Sequence, residues 1–171
     1  MVRRFRGESV HKVDAKGRVS IPAPFRRVLE EGDPDWTEGL NPNLVMIHGR
    51  DELRCLECYT IAGMEELDEM VSSLPRFDED REYLELVLNS NSSYAQVDEN
   101  GRIVLGVKLR ELIGATTEAV FSGQGEKFQI WQPEAFAEHK AGVLRRRKEE
   151  AGRDPFRRLD GGRAPRGGGE Q

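Results

Sequence analysis

Val13-Asp14-Ala15-Lys16-Gly17-Arg18-Val19 returns 84 positions on as Val97-Asp98-Glu99-Asn100-Gly101-Arg102-Ile103. Each copy sets an aspartate, a Lys-Gly or Asn-Gly turn and an arginine between β-branched residues, so one structural unit has been used twice, and an internal repeat decides the architecture. The context repeats too. Val19-Ser20-Ile21-Pro22 and then Phe25-Arg26-Arg27-Val28-Leu29 follow the first arginine, and Ile103-Val104-Leu105 and then Leu109-Arg110-Glu111-Leu112-Ile113 follow the second in the same register. Both halves read as strand, tight turn, strand, short helix. Further on, Leu44-Val45-Met46-Ile47 answers Ala119-Val120-Phe121, and Leu56-Glu57-Cys58-Tyr59 answers Phe128-Gln129-Ile130-Trp131. The spacing drifts because the first copy holds an insertion over 32–43.

Outward from the repeat, strand patterns sit at Gly7–Val13, Arg18–Ile21, Leu44–His48 and Leu53–Tyr59, and again at Ser93–Val97, Arg102–Leu105, Ala119–Ser122 and Lys127–Trp131. Met64, Leu67, Val71 and Leu74 recur at helical spacing with Glu65, Glu66, Asp68 and Glu69 opposite, an amphipathic helix that Pro75 ends. A second helix is expected over Asp78 to Leu88. A last one starts at Pro133, suited to a first helical position, and carries Phe136, Val143 and Leu144. From Arg145 the chain turns to Arg, Gly and Pro with few apolar residues, which predicts a disordered tail over 145–171. A half of ~70 residues buries too little apolar surface to be comfortable alone, so the halves are expected to share a core or lean on other subunits.

The net charge is −5, and its distribution matters more than its sum. Residues 1–31 hold eight Lys or Arg against four Asp or Glu, residues 145–171 hold nine against five, and the middle holds nine against 22. Screening confines a surface field to about 8 Å at physiological salt, so acidic helices elsewhere need not cancel a basic stripe. No run of ~18 apolar residues and no apolar leader is present, which excludes a membrane partner and predicts a cytoplasmic protein.

Gly17 and Gly101 stand where a tight turn needs positive φ, and Asp14 and Asp98 can accept from the turn's N–H groups. The arginine after each glycine is not demanded by turn closure, and it supplies a planar fork of donors suited to phosphate or guanine. The alternative is an Asp–Arg ion pair that braces each turn. Two matched copies, with Lys12, Lys16, Arg3, Arg4 and Arg6 around the first, favour a β-hairpin platform that presents arginines to double-stranded DNA. The residues expected at the DNA are Arg3, Arg4, Lys12, Lys16, Arg18 and Arg102; Asp14, Gly17, Asp98 and Gly101 are expected to shape the turns.

Other signals are weaker. Cys55-x-x-Cys58 lacks the further ligands that structural zinc needs, and in a strand residues three apart point to opposite faces, so reduced buried thiols are expected and no metal or cofactor. The acidic stretches Glu65 to Glu69 and Asp78-Glu79-Asp80 read as a solvated helix face. Gly123-x-Gly125 opens no helix and is no phosphate loop. Trp131 and Phe136 read as core or subunit-contact residues. No nucleophile, base and orienting acid can be assembled, so no enzyme and no small-molecule substrate are expected.

Asp14-Ala15-Lys16-Gly17-Arg18-Val19-Ser20-Ile21-Pro22 with Phe25-Arg26, the second Asp98-x-x-Gly101-Arg102, and Gly123-Gln124-Gly125-Glu126-Lys127-Phe128-Gln129-Ile130-Trp131 together resemble the MraZ family. The resemblance spans roughly Phe5 to Leu144. It implies a mainly β, α+β fold of two tandem AbrB-like swapped-hairpin units in a pseudo-twofold β-barrel flanked by helices, with 1–75 and 76–144 as the two repeats and their helices. It also implies a transcriptional regulator, often a repressor, of the division and cell-wall gene cluster that encodes it. Such a regulator would act on repeated promoter boxes at the nucleoid as a homo-oligomeric closed ring, with Lys16, Arg18 and Arg102 in or near the DNA. The alternative is an AbrB-fold interaction module, antitoxin-like or scaffold, whose arginines engage acidic protein groups.

Overall fold

The computed structural model describes residues 3–150 and 152–161. Residues up to Phe136 form one compact unit, and those from Ala137 on form a second.

In the first unit the chain runs β1 (Glu8–Lys12), turn, β2 (Arg18–Ser20), α1 (Ala23–Glu31), β3 (Asn43–His48), β4 (Cys55–Thr60) and α2 (Ile61–Ser72). It continues as α3 (Glu79–Glu85) with a π-turn over Leu86–Ser90, then β5 (Ser92–Gln96), turn, β6 (Arg102–Val104), α4 (Val107–Ile113), β7 (Glu118–Gly123) and β8 (Phe128–Trp131). The order strand, strand, helix, strand, strand that opens the chain returns from β5 on. Local chemistry explains the boundaries: Pro22 and Pro24 open α1, the Thr60 hydroxyl caps α2 by accepting from Gly63 N at 2.9 Å, and Asp78 caps α3 by accepting from Asp80 N and Arg81 N.

Pairing exchanges the repeats. The six-stranded sheet has the order β1-β7-β8-β4-β3-β5, and β2 pairs with β6 in a separate ribbon. β1 therefore lies on the second repeat's β7 and β5 on the first repeat's β3, while only β3–β4 and β7–β8 are hairpins within a repeat. The order reads the same from either end once equivalent strands are exchanged, as a pseudo-twofold requires. Equivalent residues meet on its axis: Val19 pairs with Ile103 in the ribbon, and Glu57 pairs with Gln129 in the sheet.

The mixed α+β class is as the sequence implies, but the barrel is not closed. β2 and β6 are three residues each and spend their ladder on one another, so β1 and β2 meet only through the bridge of Val13 to Val19. The result is a sheet with a ribbon laid across it.

Between ribbon and sheet lies the main core. Val19, Ile21, Ile103 and Leu105 point in from the ribbon and its continuations, Phe25, Leu29 and Ile113 from α1 and α4, and Leu44, Leu56, Phe121, Phe128 and Ile130 from the sheet. Phe5, Phe25 and Phe128 pack ring against ring with centroids 5.0–5.4 Å apart. On the sheet's other face, Val45 and Ile47 meet Met64 and Val71 of α2 and Val87 and Leu88 of the π-turn, and Val120 and Trp131 meet Phe136 at the start of α5 (Pro133–Glu149). Core and helix packing thus fix the ribbon from beneath and leave its outer face free.

The helix that begins at Pro133 does not stop at Leu144, where the apolar residues end, but continues to Glu149, and α6 (Arg157–Asp160) follows. Val143 and Leu144 are exposed along it. Arg and Lys are good helix formers and favour a helix's C-terminal turn, which carries order past the last apolar residue. The tail beyond Gly161 lies outside the described residues.

Candidate nucleic-acid interface

The two turns are near copies in atomic detail. In the first, Asp14 Oδ1 accepts from Lys16 N at 3.0 Å and Arg18 N at 2.9 Å, and Gly17 N donates to Asp14 O at 2.9 Å. In the second, Asp98 Oδ1 accepts from Asn100 N at 2.8 Å and Arg102 N at 2.9 Å, and Gly101 N donates to Asp98 O at 3.0 Å. Both glycines have positive φ, 81° and 75°. The arginine backbone N–H, with further N–H groups and the guanidinium beside it, holds each aspartate below the usual carboxylate range.

Each glycine carbonyl also straps the other repeat: Leu105 N donates to Gly17 O at 2.7 Å and Ile21 N to Gly101 O at 2.9 Å. These bonds extend the ribbon at both ends and lock the turns to it.

Because Val19 and Ile103 point inward, their neighbours Arg18, Ser20, Arg102 and Val104 point outward. Arg18 and Arg102 therefore share one face, two rungs along and one strand across, roughly 8 Å apart by ladder spacing. Both also carry the bracing ion pair that was the alternative reading: Arg18 Nε lies 2.6 Å from Asp14 Oδ2 and Arg102 Nε 3.3 Å from Asp98 Oδ2. The two roles are compatible, since a pair made through Nε leaves the two terminal nitrogens of the fork for another acceptor. Arg102 is the looser, its buried Nε lacking a well-aligned acceptor.

Two further arginines belong to this face and were not singled out by sequence. Arg26 of α1 lies directly against Gly101, and Arg110 of α4 sets its Nε 3.1 Å from where a Cβ would project at Gly17, so each helix supports the other repeat's turn. Both Nε atoms are buried without a hydrogen-bond partner, and neither side chain makes an ion pair among the described residues. The signal was present: Phe25-Arg26 and Leu109-Arg110 are also 84 positions apart, but helical arginines are ordinary surface residues until the swapped pairing brings them under the turns.

A family sequence profile described as "MraZ protein, putative antitoxin-like" matches residues 4–85 and again 90–153. The chain belongs to the MraZ family. It is 48% identical over 163 residues to a protein of a Ruegeria species named "Transcriptional regulator MraZ", covering 94% of this chain and 98% of that one. The same name is carried by a Ruegeria pomeroyi protein, 46% identical over the same extents, and by one from Parvibaculum lavamentivorans, 41% identical over 78% of each chain. The MraZ relatives are regulators of transcription and not enzymes, and this chain is a transcriptional regulator by family.

Within that MraZ frame the structure sorts the expected residues. Lys12 at the end of β1 and Lys16 at the tip of the first turn are exposed beside Arg18. Arg3 and Arg4 are not brought to the ribbon. They precede β1 at its far end from the turn, pair with Glu31 at 3.4 Å and Glu126 at 3.3 Å, and line a cleft of about 550 Å³ with Thr60 and Glu66.

The 32–43 insertion runs alongside the second turn, where Val97 N donates to Pro42 O at 3.0 Å and Gln96 Nε2 to Asn41 O at 3.3 Å. Buried Asp33 pins the loop by accepting from Asn43 N at 2.9 Å, and leaves Asp35 and Glu38 exposed. The first turn carries Lys16 where the second has Asn100, and Glu99 stands in the second where the first has Ala15.

Cys55 and Cys58 are free and face opposite sides of β4, one in the packing around Trp131 and the other in the main core. Burial pushes the Cys55 thiol up to about 12 and Cys58 well above its ordinary value, the reverse of a reactive or metal-binding thiolate. No helix among the described residues is long and apolar enough to cross a membrane.

Proposed function

We propose that the chain regulates transcription by laying the outer face of the β2–β6 ribbon into the major groove of double-stranded DNA. The observation that carries this is the gathering of Arg18, Arg102, Arg26 and Arg110 around one pseudo-twofold axis, with the Nε atoms of Arg26 and Arg110 buried and unpartnered. A major groove about 12 Å wide admits a two-stranded ribbon, and an arginine fork suits guanine O6 and N7. Lys12 and Lys16 take phosphates at the first turn. Arg26 and Arg110 orient or extend the reading arginines from below.

The DNA is read as repeated boxes upstream of the division and cell-wall gene cluster that includes this gene, with repression as the outcome. A homo-oligomeric ring suits repeated boxes, because several linked subunits gain on the order of 10²–10⁴ in effective affinity without any new interaction. This reading makes the protein cytoplasmic and nucleoid-associated.

The test is a gel-shift series on the protein's own upstream DNA with wild type, Arg18→Ala, Arg102→Ala and the double variant. Each single change is expected to cost ~1–3 kcal/mol of binding if it removes a base-reading hydrogen bond, while oligomer size by light scattering stays constant. The larger loss is expected at Arg18, whose turn is flanked by lysines. Retardation by the double variant equal to wild type would place the function elsewhere and favour a protein-interaction module on the same fold.

A further inference from the structure

We propose that the helical arm around Arg145-Arg146-Arg147-Lys148 is a second nucleic-acid contact, one that grips the phosphates of duplex DNA without regard to sequence. The proposal rests on the DNA-binding reading of the ribbon and adds a separate element to it.

The arm sets four consecutive cations on an exposed stretch of helix, with no acid among the described residues answering any of them. In the first unit Arg3, Arg4, Arg18, Arg50, Arg81 and Arg102 have carboxylate partners, and Arg26 and Arg110, which make no ion pair among the described residues, are packed against the turns instead. In the second, none of Arg145, Arg146, Arg147 and Lys148 makes an ion pair among the described residues, although Glu149 and Glu150 stand one turn on from Arg145 and Arg146. Beyond them, Arg153 and Arg157 pair only at 3.7 and 3.9 Å with exposed acids, too loosely and too wet to hold the charge down.

Geometry narrows the partner. Four consecutive helical residues at about 100° each span about 300° of the circumference, so the cations form a collar and not a stripe. A folded protein partner would need one defined face, and the arm's apolar residues, Val143 at 44% and Leu144 at 57% exposure, make none. A polyanion that can be met from any side suits a collar. Duplex DNA, with a phosphate every ~1.7 Å of axis, is such a ligand. The collar also sits in a helix's last turns, where cations complement the macrodipole. One or two suffice for that, and four exceed it.

The test combines Arg145→Gln, Arg146→Gln, Arg147→Gln and Lys148→Gln in the full chain, glutamine being a good helix former. Equilibrium binding is measured on box-containing upstream DNA and on unrelated duplex of equal length, between 50 and 200 mM salt, roughly the range over which such slopes are resolved. The slope of log affinity against log salt is expected to fall by about 0.9 for each phosphate no longer neutralised, up to about 3.6 in all, on both DNAs. Box and unrelated affinities should fall by the same factor, so their ratio is kept. An unchanged slope overturns the arm, including the case where only thermal stability drops, which would make the collar a helix cap and nothing more. The ribbon reading fails separately: wild type binding both DNAs equally, with a slope that still drops in the arm variant, would sink sequence-specific reading and leave the arm standing.

Discussion

Gly17 and Gly101 occupy equivalent places in two nearly identical turns, yet their surroundings are not equal. A Cβ at Gly17 would overlap the carbonyl oxygen of Leu105, a backbone atom fixed in the ribbon, whereas one at Gly101 would meet the end of the Arg26 side chain. Both substitutions carry the positive-φ cost of about 1–2 kcal/mol. Only the first must also move backbone that the Leu105 N to Gly17 O bond holds in place. Gly17→Ala is therefore expected to lower stability by several kcal/mol, on the scale of other strained backbone changes, and Gly101→Ala by about 1–2 kcal/mol as Arg26 swings aside. Denaturant melts of the two variants compare them directly, and equal losses would contradict the packing difference. Gly101→Ala should also displace the Arg26 guanidinium from beside the second turn, and on the proposed ribbon reading its affinity for the upstream DNA in a gel shift is expected to fall as well.

Among the strands, β4 and β8 cross the pseudo-axis at Glu57 and Gln129, where the repeat has kept position but not charge. Glu57 is buried, and burial pushes its carboxyl up. The Arg50 guanidinium, Lys127 Nζ at 2.5 Å and the Gln129 amide at 3.2 Å outweigh that and hold it below the usual range. A carboxylate whose folded value is depressed contributes stability above its unfolded value of about 4.3 and loses that contribution as pH falls through the folded value. Glu57→Gln is thus expected to cost roughly 1–3 kcal/mol at neutral pH and to flatten the acid limb of the stability–pH curve below about pH 5, read by melts across pH. A variant with an unaltered acid limb would show that the network does not titrate on unfolding. The elements themselves were legible in the sequence: strand and helix periods, the proline stops and the duplicated turn all follow from local chemistry. The residues alone read Val13 to Val19 as the closure of a local hairpin, and only the family resemblance implied a swap. Periodicity fixes which face of β2 is buried but not which strand lies beside it. For the same reason Arg18 and Arg102 could be singled out from the turn pattern, while Arg26 and Arg110 could not. Arg3 and Arg4 lie close to the first turn in sequence, but β1 runs between them and it, so they stand at the strand's far end.

For the whole molecule the exchange of strands has a stronger consequence than symmetry. β1, β2, β4 and β5 each find a partner only, or also, in the opposite repeat, and the main core takes its aromatic centre from Phe5 and Phe25 on one side and Phe121 and Phe128 on the other. Neither repeat can close its ladders or fill that core by itself, and ~75 residues bury too little apolar surface to compensate. Cutting the chain at the exposed link around Phe77, between α2 and α3, separates the repeats without dividing a strand. Residues 1–75 and 76–171, expressed singly, are expected to show no cooperative monomeric unfolding transition. The first fragment could gain partial order by pairing with a second copy of itself, since its β1 and β3 have the same complementarity that β1 and β7 use. Mixed at equal concentration, the fragments should recover a sheet, a concentration-dependent melt and the ribbon face together, because the ribbon's Val19–Ile103 pair forms only when both are present. Circular dichroism melts and light scattering on each fragment and on the mixture decide it. A first fragment that melts cooperatively as a monomer would mean that a repeat is a domain in its own right, and that the two meet by docking and not by exchange.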